Sequence, residues 1–327
     1  MTSMAIPPFA ELRAAATVVS LPMRVRFRGI TAREVLLLRG PAGWGEFSPF
    51  PEYDDAESAH WLASAIEAAW LPAPPPLRAT VPVNATVPAV PAAQVPEILA
   101  RFPGARTAKV KVAERGQTLA DDIARVDAVR ALVPAVRVDA NGGWTVAEAE
   151  VALRRLTADG PLEYAEQPCA SVPELVELRR RMRGSVLIAA DESIRRAEDP
   201  LTVVRAGGAD IAVVKVAPLG GPRRLLSVAQ QLGVPVVVSS ALDSTVGIGT
   251  GLATAAALPG LAHACGLGTG GFFLEDVAEP RRMVDGELSI EAQAPEPDRV
   301  AGLAAQAERQ AWWLERLARC HAELSRS

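Results

Sequence analysis

The pattern of hydrophobic positions changes near residue 80. Before it, β-prone runs at residues 17–21, 31–39 and 44–47 are separated by turn punctuation such as Gly40-Pro41, which predicts short strands joined by turns. From Asp54 to Leu71, residues Ala56, Ala59, Leu62, Ala63, Ile66 and Ala69 recur close to a 3.6-residue period, which predicts a helix. The segment Pro72-Ala73-Pro74-Pro75-Pro76 cannot continue that helix and favours an extended spacer, so a domain boundary is expected there.

Beyond residue 80, short β-branched runs alternate with Ala/Leu/Arg-rich helical stretches. The runs fall at 81–87, 107–112, 136–139, 162–165, 186–190, 211–216, 235–239 and 261–266. Helices are predicted between them at 93–102, 118–133, 146–158, 173–183, 198–206, 222–232 and 248–258. Seven strand–helix units and a closing strand point to parallel strands with crossover helices, enough to close an α/β barrel of the (β/α)7β modified TIM type. A doubly wound open sheet would carry a glycine-rich turn after its first strand, and Val81-Pro82-Val83-Asn84-Ala85-Thr86 has no glycine. After Pro280, a hairpin is expected around Asp285-Gly286, then an amphipathic helix from about Arg299 to Leu324. With the barrel already complete, that tail is expected to return to the N-terminal unit. The expected division is an α+β capping domain from residues 1–80 joined by 283–327, and a barrel over 81–282.

Composition narrows the function. In 327 residues of which 49% are hydrophobic there is material for a large core, and 34 basic against 38 acidic side chains give a net charge of −4. That balance leaves no electrostatic footprint for nucleic acid or an anionic membrane. Residues 244–274 carry no formal charge, but Pro259 and a series of glycines divide the run, so no membrane span is expected. Met1 to Arg13 lacks the basic and apolar regions of a signal peptide. Cys169, Cys265 and Cys320 are widely spaced and odd in number, which argues for a reducing, cytoplasmic setting and against a zinc cage. Three histidines (His60, His263, His321) leave little room for an imidazole-rich site, so any acids, bases and ligands are expected among carboxylates and lysines.

The C-terminal ends of barrel strands carry active sites. The second strand delivers Lys109 and Lys111 on one face, the third Asp139, the fourth Glu166, the fifth Asp191, the sixth Lys215 and the seventh Ser239-Ser240. One acid at a strand end is usually a helix cap or a solvated charge, and one lysine usually snorkels. Here the spacings from Lys111 through Asp139, Glu166 and Asp191 to Lys215 repeat the strand period, so five charged groups share one register. Three converging carboxylates repel unless a cation sits among them, and oxygen-only donors suit a hard ion, Mg²⁺ before Mn²⁺. Desolvation and a nearby divalent cation both disfavour a lysine's ammonium form, which suits lysines for proton transfer. Proton abstraction next to the carboxylate of a small-molecule substrate is the chemistry these residues imply.

At these residues the chain resembles the enolase superfamily, in its muconate-lactonizing subgroup with a Lys-x-Lys motif. The resemblance rests on Gly43-Trp44-Gly45-Glu46-Phe47-Ser48-Pro49-Phe50-Pro51, Lys109-Val110-Lys111, Asp139-Ala140-Asn141-Gly142-Gly143-Trp144, Glu166-Gln167-Pro168, Asp191-Glu192-Ser193, Lys215 and Ser239-Ser240. It spans about residues 17–290. It is strongest to the members that dehydrate 2-succinyl-6-hydroxy-2,4-cyclohexadiene-1-carboxylate in menaquinone biosynthesis. The resemblance implies that Asp139, Glu166 and Asp191 bind Mg²⁺ and that Lys111 is the general base. It implies further that Lys215 stays cationic across the site and that Lys109 tunes its neighbour. Asn141 and Glu192 would orient the ligands, and Ser239, Ser240 and Gly266 would line the pocket, with backbone N–H groups near Gly266–Gly268 meeting a substrate carboxylate. The loops at residues 21–30 and 47–53 would cover the barrel mouth, where Arg24, Arg26 and Arg28 would meet an anion.

N-acylamino acid racemization and muconate cycloisomerization use the same scaffold. A dipeptide epimerase would carry Asp-x-Asp at the eighth strand, which here reads His263-Ala264-Cys265-Gly266-Leu267. His263 and Cys265 are expected to pack the core. A non-catalytic metal-binding scaffold barrel has no need of two flanking lysines. The Trp312-Trp313 pair suits either core or interface, which leaves oligomeric state open.

Overall fold

The computed structural model describes residues 6–27, 29–195 and 199–326. An antiparallel sheet opens the chain, built from β1 (Ala16–Phe27), β2 (Ile30–Arg39) and β3 (Trp44–Phe47) in that spatial order. The helix Asp55–Trp70 packs across it, capped by the Asp54 carboxylate, which accepts from Glu57 N at 2.8 Å. Glycine at 45 permits this close approach, because a Cβ there would collide with the Ala65 carbonyl.

The larger layer is a curled sheet of seven parallel strands. These are β5 (Ala85–Val87), β6 (Thr107–Lys111), β7 (Ala135–Asp139), β8 (Ala165–Glu166), β9 (Ile188–Ala190), β10 (Ile211–Lys215) and β11 (Val236–Ser239), adjacent in chain order. Helices connect most of them, and the strands are buried almost throughout, as parallel strands covered on both faces must be. Cys265 and Gly266 bridge to Val83 on one side and Ser239 on the other. Asn84 N donates to Cys265 O at 3.0 Å and Gly266 N to Val238 O at 2.8 Å, so this segment links the two edges of the sheet.

Several elements differ from the expected pattern. The run 81–87 divides: β4 (Thr80–Pro82) pairs antiparallel with β12 (Glu287–Ser289), and β5 pairs parallel with β6. The fourth strand is not 162–165 but the two residues Ala165–Glu166. The run 261–266 forms only the two bridges. The helix expected at 198–206 is the pair Glu192–Arg195 and Thr202–Arg205, with residues 196–198 outside the described set. The tail makes two helices, Pro297–Gly302 and Ala307–Leu324. Between them the backbone is recruited by the edge of β1: Ser20 N donates to Leu303 O at 2.8 Å and Ala305 N to Val18 O at 3.0 Å. The hairpin at Asp285-Gly286 does form, both residues having positive φ (50° and 79°) in a tight turn closed by Val284 and Glu287.

The tail helix lies on the N-terminal layer. Trp313 is buried edge-on to Phe47 at 5.8 Å, with its indole N–H on Glu34 at 2.9 Å. Arg316, almost wholly buried, donates to Phe50 O (3.0 Å), Tyr53 O (2.6 Å) and Ser58 Oγ (2.7 Å). Glu46 of β3 ties the same layer to the parallel sheet, accepting from Ser244 Oγ at 2.6 Å and from the N–H groups of Ser244 and Gly247 at 3.0 Å, at the start of the helix Thr245–Ala257. Among the described residues no helix is long and apolar enough to cross a membrane. Replacing Arg316 by alanine strands three buried acceptors, and is expected to cost about 3 kcal/mol in urea unfolding. A loss under about 1 kcal/mol would show that the tail is held by its apolar face instead.

Candidate active site

The parallel register assembles the site. Lys111 of β6 stands beside Asp139 of β7, and Asp139 beside Glu166 of β8. Alternation in β6 turns Lys109 and Lys111 to the same face. Asp191 follows β9 directly, and Lys215 ends β10 beside Ser239 of β11. Lys109, Lys111, Asp139, Asp191 and Lys215 line one cleft together with Asn141, Glu192, Ser239, Ser240 and Gly266. Glu166 is held by Lys109, which lines the cleft. The three lysines are the only ones in the chain; all its other basic side chains apart from histidine are arginines.

Ion pairs interleave the charges. Lys109 Nζ lies 2.8 Å from Glu166 Oε1 and 3.1 Å from Asp139 Oδ2, Lys111 Nζ lies 2.5 Å from Asp139 Oδ2, and Lys215 pairs with Asp191 Oδ2. Burial alone would lower the Lys109 pKa, but the Glu166 and Asp139 carboxylates hold it well above the ordinary lysine value. The expected depression of a buried lysine is therefore reversed at this position, because two anions outweigh desolvation. Burial raises Asp139, yet Lys111 and Lys109 bring it below the usual carboxylate range. Glu166 is pushed up to about 7 by burial and by the Asp139 charge. At Asp191 burial acts upward, and Lys215 and Arg195 bring the group below its ordinary value.

Two further backbone features shape the cleft. Asn141 and Gln167, next but one and next to Asp139 and Glu166, hold positive φ of 47° and 38°, a costly conformation for side-chain-bearing residues. Gln167 is fully buried; its Oε1 accepts from the N–H groups of Asp191 (3.0 Å) and Ser193 (3.2 Å), and its Nε2 donates to Cys169 O and Ser193 Oγ. It therefore fixes where Asp191 leaves β9.

Among the described residues no three acidic, histidine or cysteine side chains are gathered closely enough to hold a metal, since ammonium groups stand between the carboxylates. The donor set nonetheless suits a hard divalent cation. All three acids offer oxygen only, and Glu166 Oε2 and Asp191 Oδ1 are buried without a hydrogen-bond partner.

The residues expected to line the pocket fall in different places. Ser239, Ser240 and Gly266 line the cleft, with Ser240 Oγ 2.6 Å from Thr269 Oγ1. The N–H groups of Gly266 and Ser240 do not face a ligand, however; they donate to Val238 O and Gly266 O in joining the sheet edges. Arg24 donates to Phe273 O at 2.9 Å and lines a separate cleft with Phe102 and Leu267, Arg26 bonds Gly29 O, and Arg28 lies outside the described residues. Cys265 is buried, and His263 is partly buried with Nδ1 2.7 Å from Glu163. Sequence reasoning missed Arg195, Thr86 and Thr269, which also line the cleft. The only local hint of Arg195 was its place four residues after Asp191.

The chain matches the family described as "Enolase N-terminal domain-like" over residues 18–69 and "Enolase C-terminal domain-like" over residues 93–307. It is 65% identical to an o-succinylbenzoate synthase of Mycolicibacterium smegmatis, over 97% of this chain and 98% of that protein. It is 66% identical to an o-succinylbenzoate synthase of Mycobacterium tuberculosis, over 98% of this chain and 97% of that one. Its fold is similar to that of the muconate lactonizing enzyme from Pseudomonas putida, with a TM-score of 0.73 at 21% identity, covering 89% of this chain and 98% of that one.

Lys109→Met leaves two buried carboxylates without their shared cation. It is expected to cost about 3–5 kcal/mol in chemical unfolding of the metal-free protein at neutral pH. Wild-type stability in that variant would show that water or a rearranged Lys111 compensates the pair.

Proposed function

The chain belongs to the enolase superfamily and, within it, to the family of the o-succinylbenzoate synthases, and from that premise we propose the part each residue takes in the reaction. The activity is that of a carbon–oxygen lyase. Syn loss of water from 2-succinyl-6-hydroxy-2,4-cyclohexadiene-1-carboxylate gives 2-succinylbenzoate, a step of menaquinone biosynthesis. The observation that carries this reading is the near full-length match at 65% identity to a protein of that name, against a likeness near 21% to the muconate enzymes, which speaks for fold alone.

Lys111 lines the cleft and is the general base. As a neutral amine it takes the α-proton, and as the resulting ammonium it returns that proton to the departing hydroxyl, which leaves as water while the ring becomes aromatic. One group serving both steps accounts for the syn course. Lys215, at the other end of the charged series, remains an ammonium and stabilises the negative charge that develops on the substrate. Lys109, fixed by Glu166 and Asp139, holds those acids in place and keeps positive charge beside the base. Asp139, Glu166 and Asp191 would hold a divalent cation, Mg²⁺ before Mn²⁺, which when bound would supply positive charge beside the substrate carboxylate. Asn141 and Glu192 orient these groups, and Ser239, Ser240 and Gly266 form the wall against which the small carboxylate substrate lies.

We also infer that Cys265–Gly266 serves as the eighth strand, closing a (β/α)7β barrel over residues 81–282 under an α+β cap from 1–80 and 283–327. The bridges to Val83 and Ser239 support closure. One apolar cluster surrounds the parallel strands and a second lies mainly under the N-terminal sheet, which supports the division. A cytoplasmic setting suits three cysteines that are all free and buried.

The test is turnover of the cyclohexadiene carboxylate. Chelation is expected to abolish it and Mg²⁺ to restore it, and Lys111→Ala is expected to lower kcat by about 10³-fold. Near wild-type activity in that variant would remove Lys111 from the role of base.

A further inference from the structure

One hydrogen-bonded series runs out of the cleft and into the N-terminal layer. It starts at Lys111, whose Nζ donates to Asn141 Oδ1 at 2.7 Å. Asn141 Nδ2 donates to Glu192 Oε1 at 3.1 Å, and the same oxygen accepts from Arg195 at 3.0 Å. A second nitrogen of Arg195 donates to the Tyr53 hydroxyl at 3.0 Å, and its Nε lies 3.3 Å from Asp191 Oδ1. Tyr53 belongs to the segment after β3, its ring packed on Phe50 and Trp61 at 5.6 Å and 6.1 Å between centroids. Arg195 is 8% exposed and Tyr53 7%, so neither guanidinium nor hydroxyl has bulk water to fall back on.

Each link has a direction set by chemistry. A carboxylate only accepts, so it is the NH₂ of the exposed Asn141 amide that faces Glu192, which leaves its carbonyl oxygen to face Lys111. A carbonyl oxygen takes an N–H from an amine and from an ammonium alike, and a neutral amine that donates one N–H to Asn141 Oδ1 and the other to Asp139 Oδ2 has its lone pair in the one remaining position. Glu192 in turn is held by the arginine fork, and the fork by Tyr53.

We propose that Arg195, anchored by Tyr53, is a positioning residue that aims the lone pair of Lys111 through Glu192 and Asn141, so that the N-terminal layer sets the orientation of the base. This rests on Lys111 being the base, and the test separates the two. With three lysines in the chain, protein grown on [ε-¹³C]lysine gives three side-chain signals, and Lys111→Met assigns the relevant one. In metal-free protein, Tyr53→Phe is expected to shift the Lys111 signal and leave that of Lys215 in place, whereas Arg195→Gln, which also takes a cation from Asp191, is expected to shift both. In turnover, kcat is expected to fall about tenfold for Tyr53→Phe and about a hundredfold for Arg195→Gln, with KM within about threefold, since a misaimed base loses rate and not affinity. Arg195→Lys keeps the charge and loses the fork, so it is expected to remain impaired. The proposal is overturned if the Lys111 signal does not move while kcat falls, or if Arg195→Lys restores full rate. If Arg195→Gln does not fold, Tyr53→Phe, which loses a single oxygen, decides the matter by the same signal. An active Lys111→Ala enzyme would instead overturn the assignment of the base, whatever the spectra show.

Discussion

Pairing within a largely buried set of charged groups is the constraint on which this structure depends. Lys109, Lys111, Lys215 and Arg195 face Asp139, Glu166, Asp191 and Glu192 at one end of the parallel sheet, four cations against four carboxylates. Any of these alone would be expelled or neutralised at a cost of several kcal/mol. Together they are tolerable only while strand register keeps each anion within reach of a cation. A one-residue slip of β6 against β7 would turn Lys109 and Lys111 away from Asp139. The strained turns at Asn141 and Gln167 serve the same end, since they re-aim the chain just beyond the acids.

The support continues beneath the site. Arg137, wholly buried on β7 opposite Lys109, pairs with Glu163, donates to Tyr164 Oη at 2.7 Å and Ala264 O at 2.9 Å, and lies over the Tyr164 ring at 4.5 Å. Barrel interiors are normally filled by branched apolar side chains. Here a guanidinium lies buried among the parallel strands, and the other oxygen of its partner Glu163 lies 2.7 Å from His263 Nδ1. The cleft thus stands on polar groups whose bonds are directional, which favours fixed geometry over adaptable packing.

Much of this was legible in the chain. Lys109 and Lys111 announce a shared face because strand alternation is strict, and the repeating distance to Asp139, Glu166, Asp191 and Lys215 betrays parallel strands whose ends line up. The short elements were not legible. β8 has two residues, too few for any period, and Cys265–Gly266 is held by the two strands that flank it and carries no propensity of its own. The run 81–87 looked continuous because the pairing that divides it comes from β12, two hundred residues later. Arg195 was hidden for the same reason: its meaning lies in Tyr53, 142 residues earlier, and no local pattern records that contact. Local pattern placed the charged groups that line the cleft, whereas the groups that hold them in position came from tertiary contact.

The confinement of every lysine to the cleft has a consequence beyond chemistry on the substrate. Arginine carries the positive charge everywhere else, and it has no primary amine to offer. A reagent that acylates or condenses with lysine side chains therefore finds its targets only among the three amines of this one cleft. A protease that cuts after lysine finds its targets only within or at the ends of β6 and β10, where the backbone is bonded into the sheet. Cleavage by such a protease would follow the opening of the parallel sheet and nothing at the surface, so the gathering of charge in one cleft also makes lysine a built-in gauge of whether that sheet is intact.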